Sequence, residues 1–166
     1  MSELGPSPLT AGDLNLSVAD ARAAIHAALR PITGTEVVAL RDALVRVLAD
    51  DLDSTMDVPP HDNSARDGYA FDGAALQADA PLVLTCVATV YAGAPFAGTL
   101  AAGQCVRIMT GAVMPAGLDT VVPQELCSAS GDQVTIAPGT LRRGENRRRR
   151  GEDLALGQPA LRAGRL

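Results

Sequence analysis

The chain has 166 residues, a net charge of −5, 47% hydrophobic residues and 2% aromatics. That length and apolar content suffice for a core in one domain or two small lobes, and they exclude a wholly disordered chain. The acidic balance argues against a general nucleic-acid binder, and no run approaches the roughly 18 apolar residues that a membrane helix needs. With no Trp, the core must be built from Ala, Val, Leu and Ile. All fourteen cations are Arg. The N-terminal stretch MSELGPSPLTAGD has neither the basic nor the apolar region of a signal peptide. Cys86, Cys105 and Cys127 are odd in number and form no CxxC pair, so they read as small core hydrophobes in a reducing compartment. The expected location is the cytoplasm.

Residues 1–16, rich in Pro, Gly and Ser, are expected to be a disordered tail. Ser17 then opens a helix as N-cap, with Asp20 three residues on. Val18, Ala21, Ile25, Ala28 and Leu29 share one face, and Pro31 closes the helix. His26 lies off that stripe and reads as a surface residue. EVVAL, residues 36–40, reads as a short strand, and residues 41–52 as a short amphipathic helix. Asp50, Asp51, Asp53 and Asp57 follow without the Gly and terminal Glu of a calcium loop, so a solvated surface is expected there. Pro59 and Pro60 mark a boundary.

From residue 81 the pattern changes to strands and turns. PLVLTCVATVYAG, CVRIM, DTVVPQE and QVTI read as strands, with Pro123 confining the third to an edge or its end and QVTI forming the second arm of a hairpin. This is a compact β lobe of several short strands, and no internal repeat is visible.

Three stretches carry chemistry. HDNSARDGYAFDG, residues 61–73, groups Asp62, Ser64, Arg66 and Asp67 in what reads as a loop, either a tight double turn or a binding element for a hard cation or polar substrate. RIMTGAVMPAGLD, residues 107–119, places Thr110 and Gly111 after an apolar strand, a loop whose amides are able to approach an anion, although it lacks the GxxxxGK[ST] of a P-loop. GENRRRRGED, residues 144–153, belongs to a segment with six Arg between residues 142 and 150, either a salt-bridged ribbon or an electropositive strip for an oxyanion. With only His26 and His61, no Ser-His-Asp or Cys-His arrangement is available.

Taken together, DVPPHDNSARDGYAF (57–71), RIMTGAVMPAGLDTVVPQE (107–125) and GENRRRRGEDLALGQ (144–158) resemble, in order and spacing, the N-terminal region of the molybdopterin molybdenumtransferase family (MoeA and the gephyrin E domain). The resemblance spans roughly residues 17–166. It implies an α+β fold: an elongated, two-lobed region with a mixed α/β stalk (17–58 plus 146–166) that dimerises, and an inserted, β-rich, barrel-like lobe (59–145). It also implies molybdenum cofactor biosynthesis, in which molybdenum from molybdate enters adenylylated molybdopterin with the help of magnesium. The site would be a cleft at a homodimer interface, with this region as one wall. The positions matching the family's functional residues are Asp67, Thr110 and Asp153 as catalytic groups, Asp67 and Asp153 also as metal-positioning carboxylates. Asn63, Ser64, Gly111, Arg148, Arg149 and Arg150 are the expected substrate-binding residues. Arg66 stands where the family usually has Met, which adds a cation beside Asp67. The pterin-binding and C-terminal domains that follow in the family are not in this sequence, so it reads as an N-terminal fragment, inactive alone. The alternative is a non-catalytic dimerisation or scaffold module of the same fold. An RNA-binding strip, or any membrane role, is not expected.

Overall fold

The computed structural model describes residues 16–166, so all but the last residue of the expected tail lies outside the described residues. Two compact units divide at residue 46. The first contains α1 (Val18–Ala28), followed by a single 3-10 turn at Leu40–Asp42. The Ser17 hydroxyl accepts from the Asp20 amide at 3.1 Å and donates to the Asp20 carboxylate at 2.6 Å, so the cap forms as its sequence dictates. His26 is exposed, as expected. The apolar stripe, however, buries nothing: no residue of α1 is buried, and Val18, Ile25 and Leu29 are all exposed.

Two expectations fail here. EVVAL is not a strand, and residues 41–52 are not a helix. An apolar run becomes a strand only by pairing, and no strand pairs with residues 36–40 among the described residues. Val45 adopts φ +61°, which a helix forbids and which is unusual for a β-branched residue.

The second unit contains ten strands: β1 (Leu52–Asp53), β2 (Asn63–Ser64), β3 (Gly68–Phe71), β4 (Leu82–Val90), β5 (Gln104–Ile108), β6 (Thr120–Pro123), β7 (Ser128–Ser130), β8 (Gln133–Ile136), β9 (Arg147–Arg148) and β10 (Pro159–Leu161). The four strands expected from residue 81 onward are β4, β5, β6 and β8. Six strands form one open sheet in the order β6-β3-β5-β4-β8-β7, with Pro123 on an edge strand and β7–β8 as the hairpin. β1 pairs with β10, and β2 with β9. The chain is therefore α+β with a β-rich lobe, as the sequence implied.

GYAF was expected to lie in a loop and is instead β3, an inner strand of the sheet. Its alternation explains both cores. Ala70 faces one cluster with Val106, Ile108, Val121, Met114 and Leu118, and Phe71 faces the other with Cys105, Val122, Val134 and Ile136. The parallel β4–β5 pair carries a bulge between Cys86 and Ala88, which oppose the adjacent Cys105 and Val106. That extra residue flips β4 from one face to the other, so Leu84 packs in the second cluster and Val90 in the first. Gly68 must be glycine, because a Cβ there would lie 1.9 Å from the Val122 carbonyl oxygen of the neighbouring strand. All three cysteines are free and pack with the second cluster, as small hydrophobes do. Burial pushes the Cys105 thiol up to about 12, so it is a poor nucleophile.

Candidate functional site

The three motifs meet through backbone bonds. The Ser64 amide donates to Ala112 O at 2.9 Å, the Gly111 amide to Ser64 O at 2.8 Å and the Met114 amide to Asp62 O at 2.9 Å, which seats the first motif on the second. The third joins when the Ala65 amide donates to Asn146 O at 2.9 Å and β2 pairs Asn63 with Arg148. The Asn146 side chain closes the triangle by donating to Val121 O at 2.9 Å.

At one corner lies a clasp. Asp67 Oδ1 accepts both from the Thr110 amide and from Thr110 Oγ1, each at 2.7 Å. The two residues stand 43 positions apart in sequence, and both are exposed. The backbone bond from Thr110, then its hydroxyl, and the charge of Arg107 hold the Asp67 carboxyl below the usual range against a smaller opposing effect of desolvation. Asp67 Oδ2 makes no hydrogen bond among the described residues, so the clasp leaves one carboxylate oxygen outward.

The same bonds limit what the loop offers. Both Thr110 donors are committed to Asp67, and the Gly111 and Ala112 amides donate to Ser64 O and Met109 O. Gly111 reaches this position with φ +80°, which glycine adopts without strain. An incoming anion must therefore be met by side chains. Ser64 is 1% exposed, and its hydroxyl donates to Arg66 O at 2.6 Å, forming a turn. Asn63 Oδ1 and Arg147 Nε, on the paired strands β2 and β9, are enclosed and have no partner among the described residues.

The Arg run is chiefly a salt-bridged ribbon. Arg148 bonds Glu152 at 2.9 Å and also Asp153. Arg150 bonds Asp57 at 2.5 Å through its side chain and Asp62 at 2.8 Å through its amide, and Arg147 stands 3.6 Å from Asp62. Arg149 gives its amide to Glu152 at 2.7 Å, but its guanidinium makes no ion pair among the described residues. The Arg149 amide, then the Arg148 side chain, depress the Glu152 carboxyl, and Asp153 followed by Glu152 raise the Arg148 guanidinium.

The structure thus gathers Asn63, Ser64, Asp67, Thr110, Gly111 and Arg148–150 around one set of junctions, while the Asp153 side chain is bonded, among the described residues, to Arg148 alone. Sequence reading missed Asp57 and Asp62 as clamps. Asp57 was expected on a solvated surface, yet its side chain is only 13% exposed, with Leu156 N on Oδ1 and Arg150 on Oδ2. The available signal was charge complementarity between the acids of residues 57–62 and the Arg run. Among the described residues, no three His, Cys, Asp or Glu side chains are gathered closely enough to hold a metal ion.

The model of the MoeA N-terminal region, domains I and II, matches residues 16–166. The chain is 38% identical over 132 residues to a molybdopterin molybdenumtransferase of Haemophilus influenzae, covering 80% of this chain and 32% of that protein. A molybdopterin molybdenumtransferase of a Nostoc species is 47% identical over 105 residues, covering 61% of this chain and 24% of that one. The crystal structure of a molybdopterin biosynthesis MoeA protein from Pyrococcus horikoshii superposes with a TM-score of 0.72 at 34% identity, over 80% of this chain and 35% of its own. The chain spans about a third of the length of such relatives. With its three motifs brought together and every described residue inside the matched region, the chain belongs to the family of the MoeA N-terminal region.

Proposed function

We propose that this chain serves molybdenum cofactor biosynthesis by supplying one wall of a site in which molybdenum from molybdate enters adenylylated molybdopterin. The carrying observation is the Asp67–Thr110 clasp, which joins two motifs within a chain of this family and leaves a carboxylate oxygen outward. Thr110 fixes the carboxylate and keeps it ionised, and Asp67 presents Oδ2 to substrate. Arg148 holds Asp153 as the second carboxylate of the same wall.

The donor set of this chain alone does not make a magnesium site. Magnesium takes one or two carboxylates and fills its other positions with water and substrate phosphates, so the ion belongs to the assembled complex, with Asp67 or Asp153 as its contribution from this chain. The site is cross-subunit in a cytoplasmic homodimer, and the chain alone does not turn over. Self-association is supported by the apolar residues that the first unit leaves exposed, Val18, Ile25, Leu29, Ile32, Val37 and Leu40 among them. The same exposure would serve a scaffold module, which differs in having no need of Asp67.

The test is a chimera in which this chain replaces the matching region of the Haemophilus influenzae relative, expressed in a bacterium lacking its own molybdopterin molybdenumtransferase. Molybdenum-dependent enzyme activity should return with the native chain and be lost with Asp67→Asn. A folded chimera that restores nothing, or an Asp67→Asn chimera that restores everything, contradicts the proposal.

A further inference from the structure

Arg107 has no role in the fold that its surroundings explain. It lies on β5, an inner strand with β3 on one side and β4 on the other, and is the exposed position between buried Val106 and buried Ile108. It opposes Tyr69 on β3 and Thr89 on β4. By strand alternation its side chain stands on the same face as Cys105, where the second apolar cluster runs out. No carboxylate lies within ion-pair distance of it among the described residues, although six other arginines are so paired. An unpaired guanidinium facing an aromatic and a hydroxyl side chain across the two neighbouring strands has no charge partner there and adds little to the sheet.

Its position relative to the clasp is specific. Asp67 immediately precedes β3, two residues before Tyr69, which pairs with Arg107. Thr110 follows Arg107 by three residues and binds Asp67 directly. The depressed Asp67 carboxyl, to which the Arg107 charge contributes, is consistent with this proximity. The loop amides and the Arg148 and Arg150 guanidinia are committed elsewhere, so few cations near the three motifs remain for an anion: Arg66, Arg107, Arg142 and Arg149, of which Arg107 alone lies in the sheet beside the clasp.

We propose that Arg107 is a substrate-contacting residue that takes a phosphate-class oxyanion beside the Asp67–Thr110 clasp. This rests on the reading of the site given under Proposed function and deepens it. Planar guanidinium donors suit two phosphate oxygens at once. Binding there places the anion next to the outward carboxylate oxygen, which a cation shared with the phosphate would neutralise.

The experiment titrates inorganic pyrophosphate into the isotopically labelled full chain at low salt and follows the backbone amide resonances. The amides of Asp67, Arg107, Thr110 and Gly111 should shift together at millimolar ligand. Arg107→Gln should weaken that binding about tenfold or more, Arg107→Lys should restore part of it, and Arg22→Gln, on α1 of the helical unit, should leave it within about twofold. An unchanged amide spectrum elsewhere shows that Arg107→Gln is folded. Absence of shifts at Thr110 in the native chain overturns the proposal, as does native-like binding by Arg107→Gln. Should Arg149→Gln alone abolish binding, the anion belongs to the ribbon and not to Arg107. The chimera assay reads the function separately: rescue lost in Asp67→Asn with pyrophosphate binding unaffected by Arg107→Gln would refute Arg107 and leave the functional reading standing.

Discussion

The helical unit and the sheet unit are both rich in Val, Leu, Ile and Ala, yet they use those residues in opposite ways. In α1 the apolar stripe is capped and regular but buries nothing, whereas in the sheet Ala70, Phe71, Cys105, Val106, Ile108, Val121 and Val122 are all completely buried. Apolar periodicity sets the local conformation; burial requires a partner surface. A sheet with two covered faces supplies its own, one to each set of alternating side chains, and a single helix does not.

The largest expected contrast is a paired truncation. Phe71→Ala removes a fully buried ring shared among Leu84, Val122 and Ile136 and should cost about 3–5 kcal/mol in denaturant unfolding. Ile25→Ala, on an exposed helix face, should change the unfolding of the isolated chain by less than about 0.5 kcal/mol. Equal effects would mean that the helix is packed. Next, Gly68→Ala should destabilise the sheet by about 1–3 kcal/mol or more, because the added Cβ meets the backbone oxygen of Val122, which no rotamer change relieves. The same substitution at Gly34, with nothing within 4 Å, should be nearly silent or slightly stabilising.

Acid should also separate the two regions. In the sheet unit, Asp51 is depressed by the Ala163 amide and Arg162, Asp57 by the Leu156 amide and Arg150, and Asp67 by Thr110. Desolvation opposes the depression of Asp119, but the bonds from Arg143, Gly73 and Thr120 outweigh it. A carboxyl whose folded pKa is lowered contributes stability that is fully present above the unfolded value near about 3.9 and fades as pH falls through the folded value. The unfolding midpoint of the sheet unit should therefore be flat at neutral pH and drop below about pH 4. Asp57→Asn should flatten that drop, and a midpoint that rises on acidification would contradict the assignment. The smallest effect on stability, but a decisive one for assembly, is Ile25→Glu. It should leave the monomer's unfolding almost unchanged while lowering the molar mass seen by light scattering from about twice the chain's mass toward one copy.

These contrasts also mark what was legible in the sequence. The helix cap, the β4, β5, β6 and β8 strands and the edge position of Pro123 follow from local spacing, and all are observed. β3 was hidden because Gly68 at its start and Asp67, Asp72 and Gly73 on either side of it are turn formers; its strand character comes from pairing with β5 and β6 on either side. EVVAL failed for the converse reason, having a strand's composition and no partner. The three motifs of the site were visible. The way they join was not, because the contacts that do it link residues 43 to 99 apart: Thr110 to Asp67, Arg150 to Asp62 and Asp57, and Leu156 to Asp57. Nor did the sequence show that the loop amides, read as open to an anion, are already bonded within the fold.

The most direct test of the account is Thr110→Val in the chimera, measured for molybdenum-dependent activity and thermal unfolding together. The substitution removes the hydroxyl donor to Asp67 Oδ1 and keeps the amide donor and the side-chain volume. Activity should fall by about tenfold or more, as expected when a carboxylate loses one of two positioning bonds, while the unfolding temperature shifts by only a few degrees. Full activity in the Thr110→Val chimera would show that the clasp belongs to the fold and not to the site.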